Sequence, residues 1–247
     1  MGAGPSVSVS GCVPPGCLRG RGLGARGGGA VASPVGAGGV SGLLNVAEIC
    51  ASTRALGPGV RAVVWVQGCP FRCRGCVAPD WIEERPARVM SPGELVDAVL
   101  ADPEVTGLTF SGGEPMEQAV GLAEAARRAR ERRELTVICF TGYRLEELRG
   151  RPGPEALLAE VDVLIDGRYV DVLDDDVGMR GSANQRVHRL TDRLADVAVD
   201  FEAGPRRAEI RVRADSALLV GVPSAAVRGA WTRIERTRPV PPTSKRD

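Results

Sequence analysis

The chain has 247 residues, of which 43% are apolar and 26% charged, and its formal net charge is +1. These values are ordinary for a globular protein, and the near-zero charge argues against nucleic acid or an anionic membrane as a partner. The sequence has no run of about 18 apolar residues that could span a membrane, and it shows no secretory signal at its N-terminus. The expected location is therefore the cytoplasm.

The first 42 residues are expected to be disordered, because they hold 14 of the 32 glycines and little that could build a core. Cys12 and Cys17 lie in this segment, and their isolated spacing is interpreted as incidental. The chain is predicted to have four parts: an N-terminal extension 1–42, a core domain 43–190, a C-terminal extension 191–235 and a disordered tail 236–247.

Four short runs rich in apolar and β-branched residues predict strands, at 61–67, 107–110, 135–140 and 161–165. Ser91, Pro92 and Glu94 form a capping pattern for a helix that runs to about residue 100. Apolar spacing predicts further helical segments at 117–133, 145–148 and 156–160. Strands that alternate with helices are typical of β-α-β units, so the fold class is α/β with a parallel sheet.

Each predicted strand is followed by residues that are suited to binding a ligand. A cysteine segment follows the first strand, and Gly112, Gly113 and Glu114 follow the second. Thr141 follows the third strand and Asp166 the fourth. Because ligands collect at the carboxyl ends of parallel strands, the sequence predicts one site at this edge of the sheet.

Three of the seven cysteines, Cys69, Cys73 and Cys76, lie within eight positions in a C-x3-C-x2-C spacing. Three thiolates on one loop can ligate three irons of a 4Fe-4S cluster and leave the fourth iron open to a substrate. A structural zinc site needs four ligands, and Cys50, Cys139 and His188 do not supply a second pair. A redox C-x2-C pair would leave Cys69 unexplained. The spacing favours the open cluster and leaves zinc and thiol chemistry as alternatives.

The cysteine spacing after the first strand, with Gly-Gly-Glu-Pro after the second, resembles the radical SAM superfamily. Many members have an aromatic residue before the third cysteine, whereas this chain has Gly75. The resulting Cys-x-Gly-Cys pattern is similar to that of the activases of anaerobic (class III) ribonucleoside-triphosphate reductase. Residues 57–61, 140–143, 163–170 and 180–187 resemble the same branch, so the resemblance covers about residues 45–190.

The resemblance implies a partial, open β/α barrel with one 4Fe-4S cluster on Cys69, Cys73 and Cys76. It also implies S-adenosyl-L-methionine (SAM) at the open iron, where reductive cleavage would yield methionine and a 5′-deoxyadenosyl radical. The residues implied to flank or contact SAM are Gly75, Val77, Gly112, Gly113, Glu114, Thr141 and Asp166. For Thr141 and Asp166, capping of the strand ends is an equal alternative. For Arg180, Asn184 and Gln185 the resemblance gives no physical role.

In an activase, the radical removes a hydrogen atom from a glycine of a partner enzyme and leaves a glycyl radical. The implied partner is a glycyl-radical enzyme, in the first place an anaerobic ribonucleotide reductase, and the implied electron donor is a flavodoxin or a ferredoxin. One alternative is a radical SAM enzyme that acts on a small molecule or a peptide. The other is a non-catalytic zinc- or cluster-binding module.

Alternating runs at 208–213 and 217–222 predict a small C-terminal β-hairpin, which lies outside the resemblance. If this hairpin covers the mouth of the barrel, its removal is expected to raise SAM cleavage that is not coupled to substrate.

Overall fold

The computed structural model describes residues 42–214 and 216–237. The expectations for residues 1–41, which include Cys12 and Cys17, and for residues 238–247 lie outside the described residues. The strands are β1 Leu44–Thr53, β2 Arg61–Val66, β3 Arg88–Met90, β4 Gly107–Gly112, β5 Thr136–Thr141, β6 Val163–Asp166, β7 Arg186–Arg189, β8 Ala208–Val212 and β9 Ala217–Gly221. The α-helices are α1 Pro92–Val99, α2 Ala119–Arg132, α3 Leu145–Leu148, α4 Pro152–Leu158 and α5 Ala225–Thr237.

Seven strands form one mixed sheet in the order β3-β1-β2-β4-β5-β6-β7. The four predicted strands are confirmed as β2, β4, β5 and β6, which pair in parallel at the centre of the sheet. The predicted parallel sheet is thus confirmed at its centre, but the whole sheet is mixed, because β1, β3 and β7 pair antiparallel at its two sides. The strand β1 shifts register between Val46 and Glu48 and again between Cys50 and Thr53. These irregularities break the alternation by which a strand is recognised in a sequence.

The helices α1 to α4 cover one face of the sheet. Successive residues of a strand point to opposite faces, and Ala62, Val64 and Val66 of β2 join the larger apolar core, which includes residues of α1 and α2. The predicted capping pattern of α1 is present, with the Glu94 N–H donating to Ser91 Oγ at 3.3 Å.

The C-terminal segment covers the opposite face. Val220 of β9 is fully buried in a cluster that also contains Val63 and Trp65 of β2. Leu194 and Phe201 belong to a further cluster on this face, together with residues of β5 and β6. The strands β8 and β9 form an antiparallel pair at the position of the predicted hairpin. This hairpin therefore lies against the face of the sheet that the helices leave open.

The strand β2 begins at Arg61, whose side chain is completely buried. Its guanidinium donates to Thr109 Oγ1 at 2.7 Å and to Thr136 Oγ1 at 3.0 Å, and burial lowers its pKa to about 9. A Cβ on Gly57 would lie 2.6 Å from Arg61 Cδ, and one on Gly107 would lie 2.7 Å from Arg61 Cζ. These two glycines leave the space that the arginine fills, which gives a physical reason for the pattern at residues 57–61.

The helix α5 has no counterpart among the predicted elements. It is attached to the segment after β6, where Arg228 forms an ion pair with Asp174 and donates to the Tyr169 hydroxyl at 3.2 Å. Its end at Thr237 lies within the expected tail. In the part of the chain that the structure describes, no helix is long and apolar enough to cross a membrane.

Candidate cluster and cofactor site

The three cysteines lie on a loop that leaves β2 and turns back on itself. Gly68, with a φ of 96°, starts the turn. Its N–H donates to Trp81 O at 2.9 Å, and the Cys69 N–H donates to Ile82 O at 3.0 Å. The Cys76 N–H closes the loop on Cys73 O at 3.3 Å. All three cysteines are half-buried, so the loop presents them at the carboxyl edge of the sheet.

The thiols of this loop lie close enough to interact electrostatically. Burial raises the pKa of Cys69 to about 11, and the neighbouring Glu114, Cys76 and Cys73 contribute to the rise. Burial also raises the pKa of Cys76. A metal centre stabilises the thiolate form of its ligands and reverses such shifts. The three side chains are therefore a soft donor set of the kind that iron–sulfur clusters use.

Among the described residues, no three His, Cys, Asp or Glu side chains meet as the ligands of one metal ion would. Cys139 is buried in the apolar core as predicted, and His188 Nε2 lies 3.0 Å from Asp166 Oδ2. Cys139 and His188 therefore offer the loop no fourth ligand, and three thiols on one loop are the donor chemistry of a cluster with one open iron.

The structure brings Gly112, Gly113 and Glu114 against the start of the cysteine loop. The Gly113 N–H donates to Val66 O at 2.7 Å, and the Glu114 N–H donates to Gly68 O at 2.8 Å. A Cβ on Gly113 would overlap the Gly68 carbonyl group, and Gly112 has a φ of 99°. Both positions need glycine because the two backbones are in direct contact.

The carboxylate of Glu114 is buried and joins two strand ends. It accepts hydrogen bonds from the Met116 N–H at 2.9 Å, from Thr141 Oγ1 at 2.8 Å and from the Gly142 N–H at 2.8 Å. Burial raises its pKa to about 7 despite these three donors. The side chain of Glu114 therefore holds the loop after β5 against the loop after β4.

Asp166 has a comparable position one strand further along. Its inaccessible carboxylate accepts hydrogen bonds from the Leu145 N–H at 2.7 Å and from Arg186 Nη2 at 2.6 Å. Burial acts to raise the pKa of Asp166, but these hydrogen bonds and that from His188 outweigh it and lower the pKa. The contacts of Thr141 and Asp166 are those expected of residues that cap strand ends.

Gly75 and Val77, on either side of the third cysteine, are both exposed. Gly75 has a φ of 75°, and a Cβ there would lie 2.7 Å from Asp171 Oδ1. The side chain of Val77 is among the exposed large hydrophobic groups, at 55%. Glycine is required before Cys76 because of its backbone conformation and because the segment after β6 approaches it.

Residues 180–185, which precede β7, form a loop that contacts the segment after β6. Gln185 Nε2 donates to Gly167 O at 2.6 Å, and its Oε1 accepts from the Gly181 N–H at 2.7 Å. Asn184 Nδ2 donates to Arg168 O at 2.8 Å. Arg180 donates to Ala183 O within the loop at 2.9 Å. These contacts give Asn184 and Gln185 a physical role that the sequence did not reveal, which is to hold residues 167–168 in place, while Arg180 closes the loop that carries them.

Sequence reasoning missed Phe71, Arg168 and Asp171, which lie at the contacts between the cysteine loop and the neighbouring loops. An aromatic residue between the first two cysteines was a visible signal for Phe71. Asp171 left no such signal, because its contact with Gly75 depends on how the segment after β6 folds back over the sheet.

Residues 55–188 match a family model described as a 4Fe-4S single cluster domain. A relative named anaerobic ribonucleoside-triphosphate reductase-activating protein, from Vibrio cholerae, is 35% identical over 145 residues, which are 55% of this chain and 91% of the relative. Relatives with the same name are 33% identical in Haemophilus influenzae, covering 54% and 90%, and 29% identical in Enterobacteria phage T4, covering 55% and 88%. The crystal structure of QueE from Escherichia coli gives a TM-score of only 0.32 at 14% identity, over 41% of this chain and 52% of that one.

Proposed function

We propose that this chain, which belongs to the 4Fe-4S single cluster domain family and to the anaerobic ribonucleoside-triphosphate reductase-activating proteins, is a radical SAM enzyme that activates a glycyl-radical enzyme. The proposed partner is an anaerobic ribonucleoside-triphosphate reductase, which is the enzyme in the names of its relatives. The proposed cofactors are one 4Fe-4S cluster and SAM, and the proposed electron donor is a flavodoxin or a ferredoxin.

One observation carries this proposal: the cysteine loop and the Gly112–Glu114 segment are in backbone contact. The hydrogen bond from the Glu114 N–H to Gly68 O, at 2.8 Å, joins the two segments at the carboxyl ends of β2 and β4. A group bound by the cysteines would therefore lie beside the backbone of Gly112 and Gly113. Carbonyl oxygens are suitable acceptors for the ammonium group of an amino acid such as the methionine part of SAM.

Each residue of the site has a defined part in the proposal. Cys69, Cys73 and Cys76 are the cluster ligands, and Val77 supplies an exposed apolar contact beside the last of them. Thr141, Glu114 and Asp166 hold the strand ends that form the floor of the SAM site, together with Gly75 at its rim. When bound, the cluster and SAM supply a one-electron cleavage that gives a 5′-deoxyadenosyl radical. The protein binds and orients these groups.

The parallel strands β2, β4, β5 and β6, with helices on one face, support the proposal of a partial, open β/α barrel. Residues 43–190 are proposed as its core domain and residues 191–235 as an added part. The family match ends at residue 188, and β8, β9 and α5 all follow that point. The added part packs on the sheet face that carries Val63 and Trp65.

This covered face also favours a second candidate function, radical chemistry on a small molecule or a peptide. With β9 and residues 194–201 packed against the sheet, we infer that a substrate would reach the cysteines over the strand ends. A small substrate passes this route more easily than a large protein loop.

The test is to mix the reconstituted protein anaerobically with SAM, a one-electron reductant and an anaerobic ribonucleotide reductase. Electron paramagnetic resonance is expected to detect a glycyl radical on the reductase. Cys73→Ala should abolish it, whereas Cys50→Ala, which alters a cysteine of an apolar cluster outside the loop, should not. SAM cleavage without a glycyl radical would support the second candidate and overturn the activase proposal.

A further inference from the structure

Phe71 lies in the cysteine loop between Cys69 and Cys73, and its ring contacts the ends of two other strands. The ring meets Tyr143 edge to face, with centroids 4.7 Å apart and planes at 71°. The guanidinium of Arg168 lies over the same ring, 4.5 Å from its centroid. Tyr143 follows β5 and Arg168 follows β6, so one side chain of the loop joins three strand ends.

Gly142 provides the surface on which the ring rests. A Cβ at this position would lie 2.7 Å from Phe71 Cε2 and nearer still to Cδ2. The backbone of Gly142 is itself held in place, because its N–H donates to the buried Glu114 carboxylate at 2.8 Å. The ring therefore packs on a rigid platform whose shape depends on the absence of a side chain.

The other two contacts of the ring are held in place as well. The Tyr143 hydroxyl donates to Glu117 at 2.6 Å, and the Arg151 guanidinium lies 4.9 Å from the Tyr143 ring centroid. The carbonyl of Arg168 accepts from Asn184 Nδ2 at 2.8 Å. Each partner of the Phe71 ring is thus bound to a different part of the protein.

The backbone of the cysteine loop is tied to residues 81–82 only at its start, through Gly68 and Cys69. Beyond that point the loop is exposed at Arg72 and Arg74. The Phe71 ring connects this part of the loop to the ends of β5 and β6, while Asp171 approaches the loop at Gly75. Fixing the loop before a cluster binds lowers the entropy cost of bringing three ligands together.

We propose that Phe71 is a positioning residue, which docks on Gly142, Tyr143 and Arg168 and thereby holds Cys69, Cys73 and Cys76 in place for the cluster and for SAM. This inference rests on the proposed function for its cofactors, but not for its effect on the loop itself. The docking exists in the protein without any bound group, so it can be tested in the cluster-free chain.

The first experiment uses limited trypsin digestion of the cluster-free protein, because Arg72 and Arg74 are exposed cleavage sites within the loop. Phe71→Ala and Gly142→Ala are each expected to raise cleavage at these two arginines by about fivefold to tenfold. This increase corresponds to the loss of one aromatic pair and one cation–π contact. Cleavage at the exposed Arg149 serves as an internal reference. Gly153→Ala is the matched control, since its Cβ would meet only Val120 Cγ2, at 3.4 Å.

The second experiment combines the two changes. If the ring and the platform act together, Gly142→Ala in a Phe71→Ala background adds less than about twofold to either cleavage or SAM binding. Phe71→Tyr, which keeps the ring, should restore the wild-type loop. In reconstituted protein, the SAM-induced change of the cluster resonance is expected to weaken in Phe71→Ala. The melting temperature of cluster-free Phe71→Ala should equal that of cluster-free Phe71→Tyr.

Unchanged trypsin cleavage in Phe71→Ala, or independent effects of the two substitutions, would overturn the positioning role. A wild-type protein that binds no cluster but still shows the coupled cleavage would contradict the proposed function and leave the docking of Phe71 intact. The two failures are thus distinguishable.

Discussion

Replacing Glu114 with glutamine is expected to change the pH dependence of the stability of the cluster-free protein. Burial raises the pKa of this carboxyl from 4.5 to about 7. Between these values the folded chain retains a proton that the unfolded chain has released, so the free energy of unfolding falls as the pH rises. Glutamine carries no titrating proton, and the variant therefore lacks this fall.

The size of the effect follows from the interval between the two pKa values. The difference between 4.5 and about 7 corresponds to about 3 kcal/mol, at about 1.4 kcal/mol for each pKa unit. The stability of Glu114→Gln relative to wild type should rise by that amount between about pH 4.5 and about pH 7.5. At every pH, Glu114→Gln should also lose about 1–3 kcal/mol of the free energy of unfolding. The NH2 group of glutamine is itself a donor, and it would face donors such as the Gly142 N–H, which the carboxylate accepts from in the wild type.

Urea unfolding of the cluster-free wild type and variant, followed by far-ultraviolet circular dichroism across this pH range, measures the difference directly. Other titrating groups are common to both proteins and cancel. Glu104→Gln is the control, since its side chain is exposed and its stability should track that of wild type at every pH. If the free energy of unfolding changed with pH in the same way for wild type and Glu114→Gln, the claim that the buried Glu114 carboxyl retains its proton would be refuted.

Three further predictions follow from close contacts elsewhere. Gly113→Ala places a Cβ against the Gly68 carbonyl, so it should at least halve the iron retained per chain after reconstitution, and retention equal to that of Gly153→Ala would count against this. Asp174→Asn removes a charged partner of Arg206, whose side chain is 2% exposed. It should lower the free energy of unfolding, measured in urea, by about 3 kcal/mol. A loss below about 1 kcal/mol, as for an exposed ion pair, would disprove the buried pairing. Val220→Asp puts a carboxylate into the interface between β9 and the sheet, and by loosening the hairpin it should raise SAM cleavage measured without a partner. Unchanged turnover in a variant whose hairpin has become accessible to protease would argue against the hairpin as a cover.

The sequence predicted the parallel centre of the fold because β2, β4, β5 and β6 are short apolar runs that are buried on both faces. It did not reveal β7, which has polar residues at three of its four positions and is only partly buried. The helix α5 was equally hidden, since only the hairpin was predicted within the C-terminal extension 191–235, and the contact of α5 with Asp174 joins segments that are distant in sequence.

The positions of the cysteines and of Gly112, Gly113 and Glu114 were predictable because chain order and parallel pairing place them at one edge of the sheet. The reasons for individual residues were not. Gly75 is fixed by the approach of Asp171, and Gln185 by its hydrogen bond to Gly167 O. Both contacts join segments that are distant in sequence, and no local pattern encodes them.

The most direct test of the central claim, a cluster held by three cysteines with one open position, is electron paramagnetic resonance of the anaerobically reconstituted and reduced protein before and after SAM is added. The formation of 5′-deoxyadenosine is followed in the same sample, with Cys73→Ala as the control. The account predicts a cluster resonance that shifts when SAM binds, together with product that disappears in Cys73→Ala. A protein that holds zinc, gives no resonance and forms no product would contradict it.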